Sequence, residues 1–215
     1  VQHLPKINIL NTSIHNLSMK ETLGLVAEAI SAKKQIHHVV VNAGKIVAMQ
    51  KDASLRKSVN ESDIINADGQ AVVWASKVLG KPLKERVAGI DLMENLVAMA
   101  HQQNHTVFLL GAKEEVVQKV SEIYREKYNA NIVAGYRNGY FNREDEPEIA
   151  QQIADSGAQM LFVAITSPAP VWMQNAGLEW FYRFLQEPKR MWKRYLVGNS
   201  KFIWLVFKEK LKGNK

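Results

Sequence analysis

The sequence predicts an α/β fold in which a mostly parallel sheet is flanked by helices. Over residues 1–168, short runs of β-branched and apolar residues alternate with helical patterns, which is typical of parallel strands joined by crossover helices. After Pro168 the pattern changes to helical segments rich in aromatic and basic residues. We therefore expect a Rossmann-like α/β domain over residues 1–168 and a helical C-terminal appendage over residues 169–215.

Six strands are expected in the first domain, because six short β-rich runs are bounded by turn residues. These runs are 7–10, 38–42, 63–66, 106–110, 131–135 and 160–165. The clearest helix is expected over 19–32, with Ser18 as its cap and Glu21 completing a capping box. A second helix should follow Gly111. Its predicted apolar stripe is Val116, Val117, Val120 and Ile123.

The composition indicates an ordinary intracellular globular protein. Hydrophobic residues make up 47% of the 215, which is enough for a packed core. The sequence has no cysteine, so disulfides and thiolate metal sites are excluded, and nothing indicates an oxidising compartment. No stretch reaches the roughly 18 apolar residues of a membrane span, and the N-terminus lacks the pattern of an export signal. A cytoplasmic location is expected.

The positive charge is concentrated in the appendage. Residues 1–168 carry 18 Lys+Arg and 18 Asp+Glu, whereas residues 169–215 carry 10 and 3, so the net charge of +7 comes from the appendage. Four of the five tryptophans also lie there. The apolar run 202–207 is flanked by lysines and is too short to span a bilayer, which predicts an interfacial helix. We expect the appendage to lie on the inner face of the cell membrane.

Two polar positions follow predicted strands. Asp68 and Gly69 come directly after an apolar strand and before a helix. Asp68 fits a helix cap or turn residue, the more frequent role for such a residue, or a general base. Asn42 also ends a strand, and it fits either a turn residue or a ligand of a sugar hydroxyl.

Two further positions fit ligand contacts. Arg86 precedes a small-residue turn and a helix expected to begin near Asp91; it fits a surface arginine paired with Glu85 or a cation facing a phosphate. The loop at Gly111 suits close approach of a nucleotide, but it lacks the remaining glycines of a dinucleotide fingerprint, which disfavours an oxidoreductase. Adjacent His37 and His38 should point to opposite faces of a strand, so no joint metal site is expected.

Taken in order, these segments resemble the WecG/TagA/CpsF family of bacterial glycosyltransferases. The most specific stretches are the Asp-Gly loop followed by ERVAGIDL (85–92), and GLEWFYRFLQEPKR (177–190). The other matching stretches are VVVNAGKIVAMQKD (39–52), TVFLLGA (106–112), GYRNGYF (135–141) and LFVAITSP (161–168). The resemblance covers nearly the whole chain.

The resemblance implies an inverting hexosyltransferase that needs no metal or other cofactor. Its expected donor is a UDP-sugar carrying N-acetylmannosamine or a related sugar, and its expected acceptor is undecaprenyl-diphosphate-linked N-acetylglucosamine. Such a transfer belongs to the synthesis of teichoic acid, cell wall or surface polysaccharide. The implied partners are these two substrates and the membrane surface, and a homo-oligomer is left open.

Carried over by position, the resemblance makes Asp68 the catalytic residue. It makes Asn42, Gly69, Arg86 and Gly111 substrate-binding residues, and it adds three arginines of the appendage, Arg183, Arg190 and Arg194. These arginines would face the departing diphosphate.

Two departures from the family pattern stand out. Val40 lies where family members often have threonine, so one hydroxyl contact is lost. A polar and Gly-rich segment expected between Pro168 and Ala169 is missing from the sequence. Its removal would uncover apolar faces of an α/β core, which favours a segment omitted from the chain over a true deletion.

A nucleic-acid-binding module is the main alternative, because a basic and aromatic appendage also suits stacking on bases. The apolar run 202–207 favours a bilayer over a wet nucleic-acid interface. We therefore expect no nucleic-acid partner.

Overall fold

The computed structural model describes residues 4–163 and 199–213. The chain divides into two compact units, one of residues 1–92 and 171–215 and the other of residues 93–170. The elements of the first unit are β1 (Lys6–Ile9), β2 (Thr12–His15), α1 (Met19–Ser31), β3 (His38–Val41), α2 (Ala43–Met49), α3 (Ala53–Asn60), β4 (Ile64–Ala67), α4 (Gln70–Val78) and α8 (Asn199–Gly213). The division between the two units falls within α5 (Gly89–Gln102), which follows α4. The elements after α5 are β5 (Val107–Leu110), α6 (Glu114–Lys127), β6 (Val133–Arg137), a 3₁₀ turn (Arg143–Asp145), α7 (Glu146–Asp155) and β7 (Met160–Val163).

The expected α/β class with parallel strands and flanking helices is confirmed. In the first unit β3 and β4 are parallel, with His38 opposite Ile64 and Val41 opposite Ala67. The predicted strands agree with the observed ones to within two residues at each described end. One strand, β2, was not expected; it pairs antiparallel with β1.

The β1–β2 hairpin turns through Leu10 and Asn11, which have φ of 50° and 60°. Positive φ at both central positions matches the twist of the flanking strands, and this turn usually contains asparagine and glycine. Leu10 is an unusual choice there because a side chain strains the left-handed conformation. Its backbone N–H is held by Glu209, whose Oε2 accepts a hydrogen bond of 3.1 Å.

Helix α8 packs into the core of the first unit. Phe202 and Val206 are fully buried among residues of β1, β3, β4, α2 and α4, and Leu205 packs beside them. The sequence analysis assigned the whole run 202–207 to a membrane surface. That assignment is wrong for Phe202 and Val206, because their side chains complete the protein core.

The second unit contains a parallel three-stranded sheet in the order β6-β5-β7. Strand β5 lies in the centre, so Val107, Phe108 and Leu109 are buried. Gly135 on β6 is required by this packing, because a Cβ there would lie 2.6 Å from the Phe108 ring.

Both expected helices are present, but only some of their predicted features are observed. Ser18 caps α1, and Glu21 closes the capping box through the Ser18 N–H at 2.7 Å. On α6, Val117 and Val120 are buried as expected, but Ile123 is 43% exposed and Tyr124 takes the buried position. Among the helices of residues 4–163 and 199–213, none has both the length and the apolar content to cross a membrane.

Candidate active site

Asn42 follows β3 and caps the next helix. Its Oδ1 accepts a hydrogen bond of 3.0 Å from the Lys45 N–H, which fixes the side chain at the start of α2. Asn42 therefore acts as a helix cap, one of the two roles considered from the sequence. It leaves the amide Nδ2 as a donor for which the described residues provide no hydrogen bond, so a ligand oxygen can still be recognised there.

Asp68 lies beside Asn42 at the carboxyl ends of the two parallel strands. The Asp68 N–H donates to the Val41 carbonyl oxygen at 2.7 Å, which extends the β3–β4 ladder by one residue. The N-cap of α4 is Gly69, and no side chain of the described residues makes a cap hydrogen bond to that helix. Asp68 is half-buried, so its side chain is partly shielded from bulk water.

Gly69 allows the loops after the two strands to approach each other. Its φ is +102°, a conformation that side chains rarely adopt, and a Cβ at this position would lie 3.9 Å from the Asn42 Cβ. Glycine is thus required by the backbone angle. The structure brings Asn42, Asp68 and Gly69 together, as expected from parallel strands whose carboxyl ends meet at one edge.

Arg86 is brought to the same edge by a backbone hydrogen bond of the residue that follows it. The Val87 N–H donates to the Ala67 carbonyl oxygen at 3.0 Å, directly before Asp68. Glu85, the alternative partner of Arg86, instead accepts from the Met19 N–H at 2.9 Å.

The guanidinium of Arg86 therefore contacts a different carboxylate. Its Nη2 lies 3.5 Å from Asp91 Oδ2, and both side chains are nearly half exposed, at 42% and 46%. An exposed pair of this kind contributes little stability. Asp91 lies in the first turn of α5, which begins at Gly89, two residues before the expected start.

Lys45 is a cation at this edge that sequence reasoning missed. Its Nζ donates to the Val40 carbonyl oxygen at 2.9 Å, and its own N–H is the one that Asn42 caps. The available sequence signal is its spacing, three residues after a strand-end asparagine, which places it on the first helical turn. The edge thus carries Asp68, Asn42 and the cations Lys45 and Arg86, and Arg86 is paired with Asp91.

Val40 contacts the start of α5. A Cβ built on Gly89 would lie 3.2 Å from Val40 Cγ2, so these two residues already pack closely. The branched side chain fills this position without a hydroxyl.

A buried polar network connects β3, β4 and α1. Asn66 on β4 accepts from His38 Nε2 at 2.8 Å and donates to Thr22 Oγ1 on α1 at 3.2 Å. Burial lowers the pKa of His38, so the ring is neutral at physiological pH. His37 instead contacts Ser62 Oγ at 3.1 Å, and in the described part of the chain no three metal-ligating side chains cluster.

Gly111 belongs to the second unit. Its φ is +137°, and Ala112 beside it has a φ of +56°. A Cβ on Gly139 would lie 3.0 Å from the Gly111 Cα, so the two loops are in close backbone contact. Arg183, Arg190 and Arg194 lie outside the described residues.

A model of the WecG/TagA/CpsF glycosyl transferase family matches residues 7–169 and 166–215 of the chain. The two matched ranges overlap at residues 166–169. Together they span almost the full length. The chain therefore belongs to the WecG/TagA/CpsF family and is a glycosyltransferase of cell-surface polymer synthesis.

Proposed function

We propose that the protein transfers N-acetylmannosamine or a related sugar from a UDP-sugar to undecaprenyl-diphosphate-linked N-acetylglucosamine, with inversion at the anomeric carbon. The observation that carries the proposal is the position of Asp68 and Asn42, which directly follow two neighbouring parallel strands at the edge where both strands end. Ligands of α/β proteins bind at such edges. Family membership gives the reaction class, and the site gives its chemistry.

Asp68 is the proposed general base. It takes the proton of the acceptor hydroxyl as that oxygen attacks the anomeric carbon of the donor. The bond from this carbon to the diphosphate oxygen breaks on the opposite face, and its electron pair leaves with UDP. General-base assistance of this kind contributes about 10² to 10⁴ in rate. Asn42 is proposed to orient a sugar hydroxyl through its amide.

The departing diphosphate needs positive charge near it, and cationic side chains supply that charge in a preorganised site. Arg86 and Lys45 lie at the same strand edge as Asp68. We add Arg183, Arg190 and Arg194 of the appendage, as the family resemblance implies. A guanidinium binds phosphate oxygens in pairs, which favours arginine for this role. The glycines at 69 and 111 are proposed to let the donor approach the backbone.

The proposed acceptor determines where in the cell the protein catalyses the transfer. An undecaprenyl chain is anchored in the bilayer, so its diphosphate lies at the headgroup level. The protein is therefore proposed to act as a peripheral protein at the inner face of the cell membrane.

The substitution Asp68→Asn tests the base. Asparagine keeps the size of the side chain but cannot take up the proton, so we expect kcat to fall by about 10² or more with little change in donor affinity. UDP release with a soluble lipid-diphosphate-GlcNAc analogue measures the rate. NMR of the product measures whether the anomeric configuration is inverted.

Asp52→Asn is the matched control, because Asp52 is an ordinary helix cap whose Oδ1 accepts from the Leu55 N–H at 2.9 Å. Asparagine caps helices as well as aspartate, so this variant should keep the parental rate. If Asp68→Asn turns over as fast as this control, another residue is the base. A donor screen with the same acceptor identifies the sugar.

A further inference from the structure

Glu85 and Arg86 lie in a segment without regular secondary structure. Residues 81–88 form neither a helix nor a strand, so no element fixes the backbone that carries Arg86. The backbone groups of such a segment depend on side chains and on neighbouring segments for their hydrogen bonds. The position of Arg86 is therefore set by the contacts of the residues next to it.

The carboxylate of Glu85 holds the start of α1. Its Oε2 accepts a hydrogen bond of 2.9 Å from the N–H of Met19, the first residue of the helix. An N–H at this position has no acceptor within the helix, and the positive end of the helix dipole favours a carboxylate there. The charge of Glu85 is thus engaged at α1, while the guanidinium of Arg86 lies 3.5 Å from Asp91 Oδ2.

Lys84 adds two contacts with the same part of the chain. Its N–H donates to Asn16 Oδ1 at 2.7 Å, and its Nζ lies 2.7 Å from Oε1 of Glu21 in the first turn of α1. The other oxygen of Glu21 accepts from the Ser18 N–H at 2.7 Å. The Lys84 ammonium and this N–H lower the pKa of Glu21 from 4.5 to about 2, so the ion pair persists at neutral pH. Residues 84 and 85 are therefore both attached to the beginning of α1.

The residue after Arg86 is anchored to a different element. Val87 is fully buried, and its N–H donates to the Ala67 carbonyl oxygen at 3.0 Å, directly before Asp68. Arg86 thus lies between a contact with α1 and a contact with β4, while its own side chain is 42% exposed. The exposed ion pair with Asp91 contributes little. The two anchors therefore decide where the guanidinium can reach.

We infer that Glu85 is a positioning residue of the transfer reaction, which fixes Arg86 at the strand edge through its hydrogen bond with Met19. This role rests on the proposed function, in which Arg86 supplies positive charge to the departing diphosphate. Such charge stabilises a transition state when its position is fixed in advance, and a displacement of about 1 Å can reduce a rate by about 10². Loss of the Glu85 contact should therefore slow the transfer, even though Glu85 acts only through Arg86.

Glu85→Ala and Glu85→Gln test this role in the full chain. UDP release is measured with saturating UDP-N-acetylmannosamine and a soluble lipid-diphosphate-GlcNAc analogue. Alanine removes the acceptor of the Met19 N–H, so kcat should fall about tenfold. Glutamine keeps an oxygen that can accept the same hydrogen bond, so Glu85→Gln should stay within about twofold of the parental kcat.

Asp63→Ala is the matched control for a loss of stability. Asp63 is, like Glu85, an exposed carboxylate that binds a backbone N–H, because its Oδ2 accepts from the His37 N–H at 2.9 Å. It lies directly before β4, at the opposite end of that strand from Asp68. Urea unfolding should show similar losses of unfolding free energy in Asp63→Ala and Glu85→Ala, whereas only Glu85→Ala should lower kcat.

A double variant shows whether Glu85 acts through Arg86. If it does, Glu85→Ala should change kcat little in an Arg86→Ala background, because the group that it positions is already absent. With Arg86→Ala slow, the inference is overturned by parental kcat in Glu85→Ala, by failure of glutamine to restore kcat, or by multiplied losses in the double variant. Parental kcat in Arg86→Ala would contradict the proposed role of Arg86 and the inference with it.

Discussion

In the first unit, His15 and Glu209 each accept a hydrogen bond from a backbone group far away in the sequence. His15 Nδ1 accepts from the Ile65 N–H at 2.9 Å, and Glu209 Oε2 accepts from the Leu10 N–H at 3.1 Å. A buried backbone donor without a partner is costly. These side chains therefore complete the hydrogen bonding of a strand edge and of a hairpin turn, respectively.

His15 should make the folded state sensitive to mild acid. The ring is 2% exposed, and burial, followed by the charge of Lys6, lowers its pKa from 6.5 to about 4. Because the unfolded chain binds the proton more tightly, stability is full above pH 6.5 and is lost as the pH falls toward 4. The pKa shift of His15 alone should lower the free energy of unfolding by about 2 kcal/mol when the pH falls from 7.5 to 5.

Urea unfolding of the parent and of His15→Asn at pH 7.5 and pH 5 measures the effect. Asparagine keeps an acceptor near the Nδ1 position but has no proton to gain in this range. The variant should be less stable at pH 7.5 and should lose less stability at pH 5 than the parent does. Parallel losses in the two proteins would show that His15 is not the acid-sensitive group.

At the scale of secondary-structure elements, α8 has a structural side and an exposed side. Phe202 is fully buried, whereas Phe207 is 49% exposed on the same helix. Phe202→Ala should therefore lower the unfolding free energy by about 3–5 kcal/mol, and Phe207→Ala should change it by less than about 1 kcal/mol. Circular dichroism during urea unfolding compares the two variants. Equal destabilisation would mean that α8 does not pack as described.

The same contacts decide how the appendage can be studied. Deleting residues 199–215 would remove the interfacial helix that the sequence predicts. The deletion would also remove Phe202 and Val206 from the core and Glu209 from the hairpin. Loss of vesicle binding after such a deletion would therefore not separate docking from unfolding. Point substitutions at exposed residues of α8, such as Trp204 and Phe207, avoid this problem.

At the scale of the whole molecule, cationic side chains are proposed to do what a metal does in other glycosyltransferases. The sequence contains no Asp-x-Asp pair, and its family resemblance implies transfer without a metal. Excess EDTA should therefore leave the rate of UDP release unchanged when acceptor and donor are saturating. Loss of activity that magnesium or manganese restores would remove the reason for assigning arginines to the diphosphate.

Most of the α/β pattern could be predicted from the sequence because it depends on local periodicity. Apolar runs with period 2 and stripes with period 3.6 identify strands and helices wherever the segment also packs. The capping box of Ser18 and Glu21 is local for the same reason. Asn42, Asp68 and Gly69 could be placed at one edge because each follows a strand, and parallel strands end together.

Strand β2 could not be predicted, because its turn lacks the usual local signal. Leu10 and Asn11 contain no glycine, and the carboxylate that holds the turn comes from Glu209 near the other end of the chain. The burial of Ile123 was predicted wrongly for a related reason. A helical stripe defines a face only to within one residue, and the neighbouring sheet decides which of Ile123 and Tyr124 turns inward.

The sequence by itself determined the class of fold, the family, and the concentration of cations and aromatic residues in the last 47 positions. Only the tertiary structure decided which side of α8 is protein core and which is exposed, because an apolar residue satisfies a core and a bilayer equally well. It also decided that Glu85 bonds α1 while Arg86 reaches the strand edge. Such choices depend on contacts between distant segments, which no local pattern records.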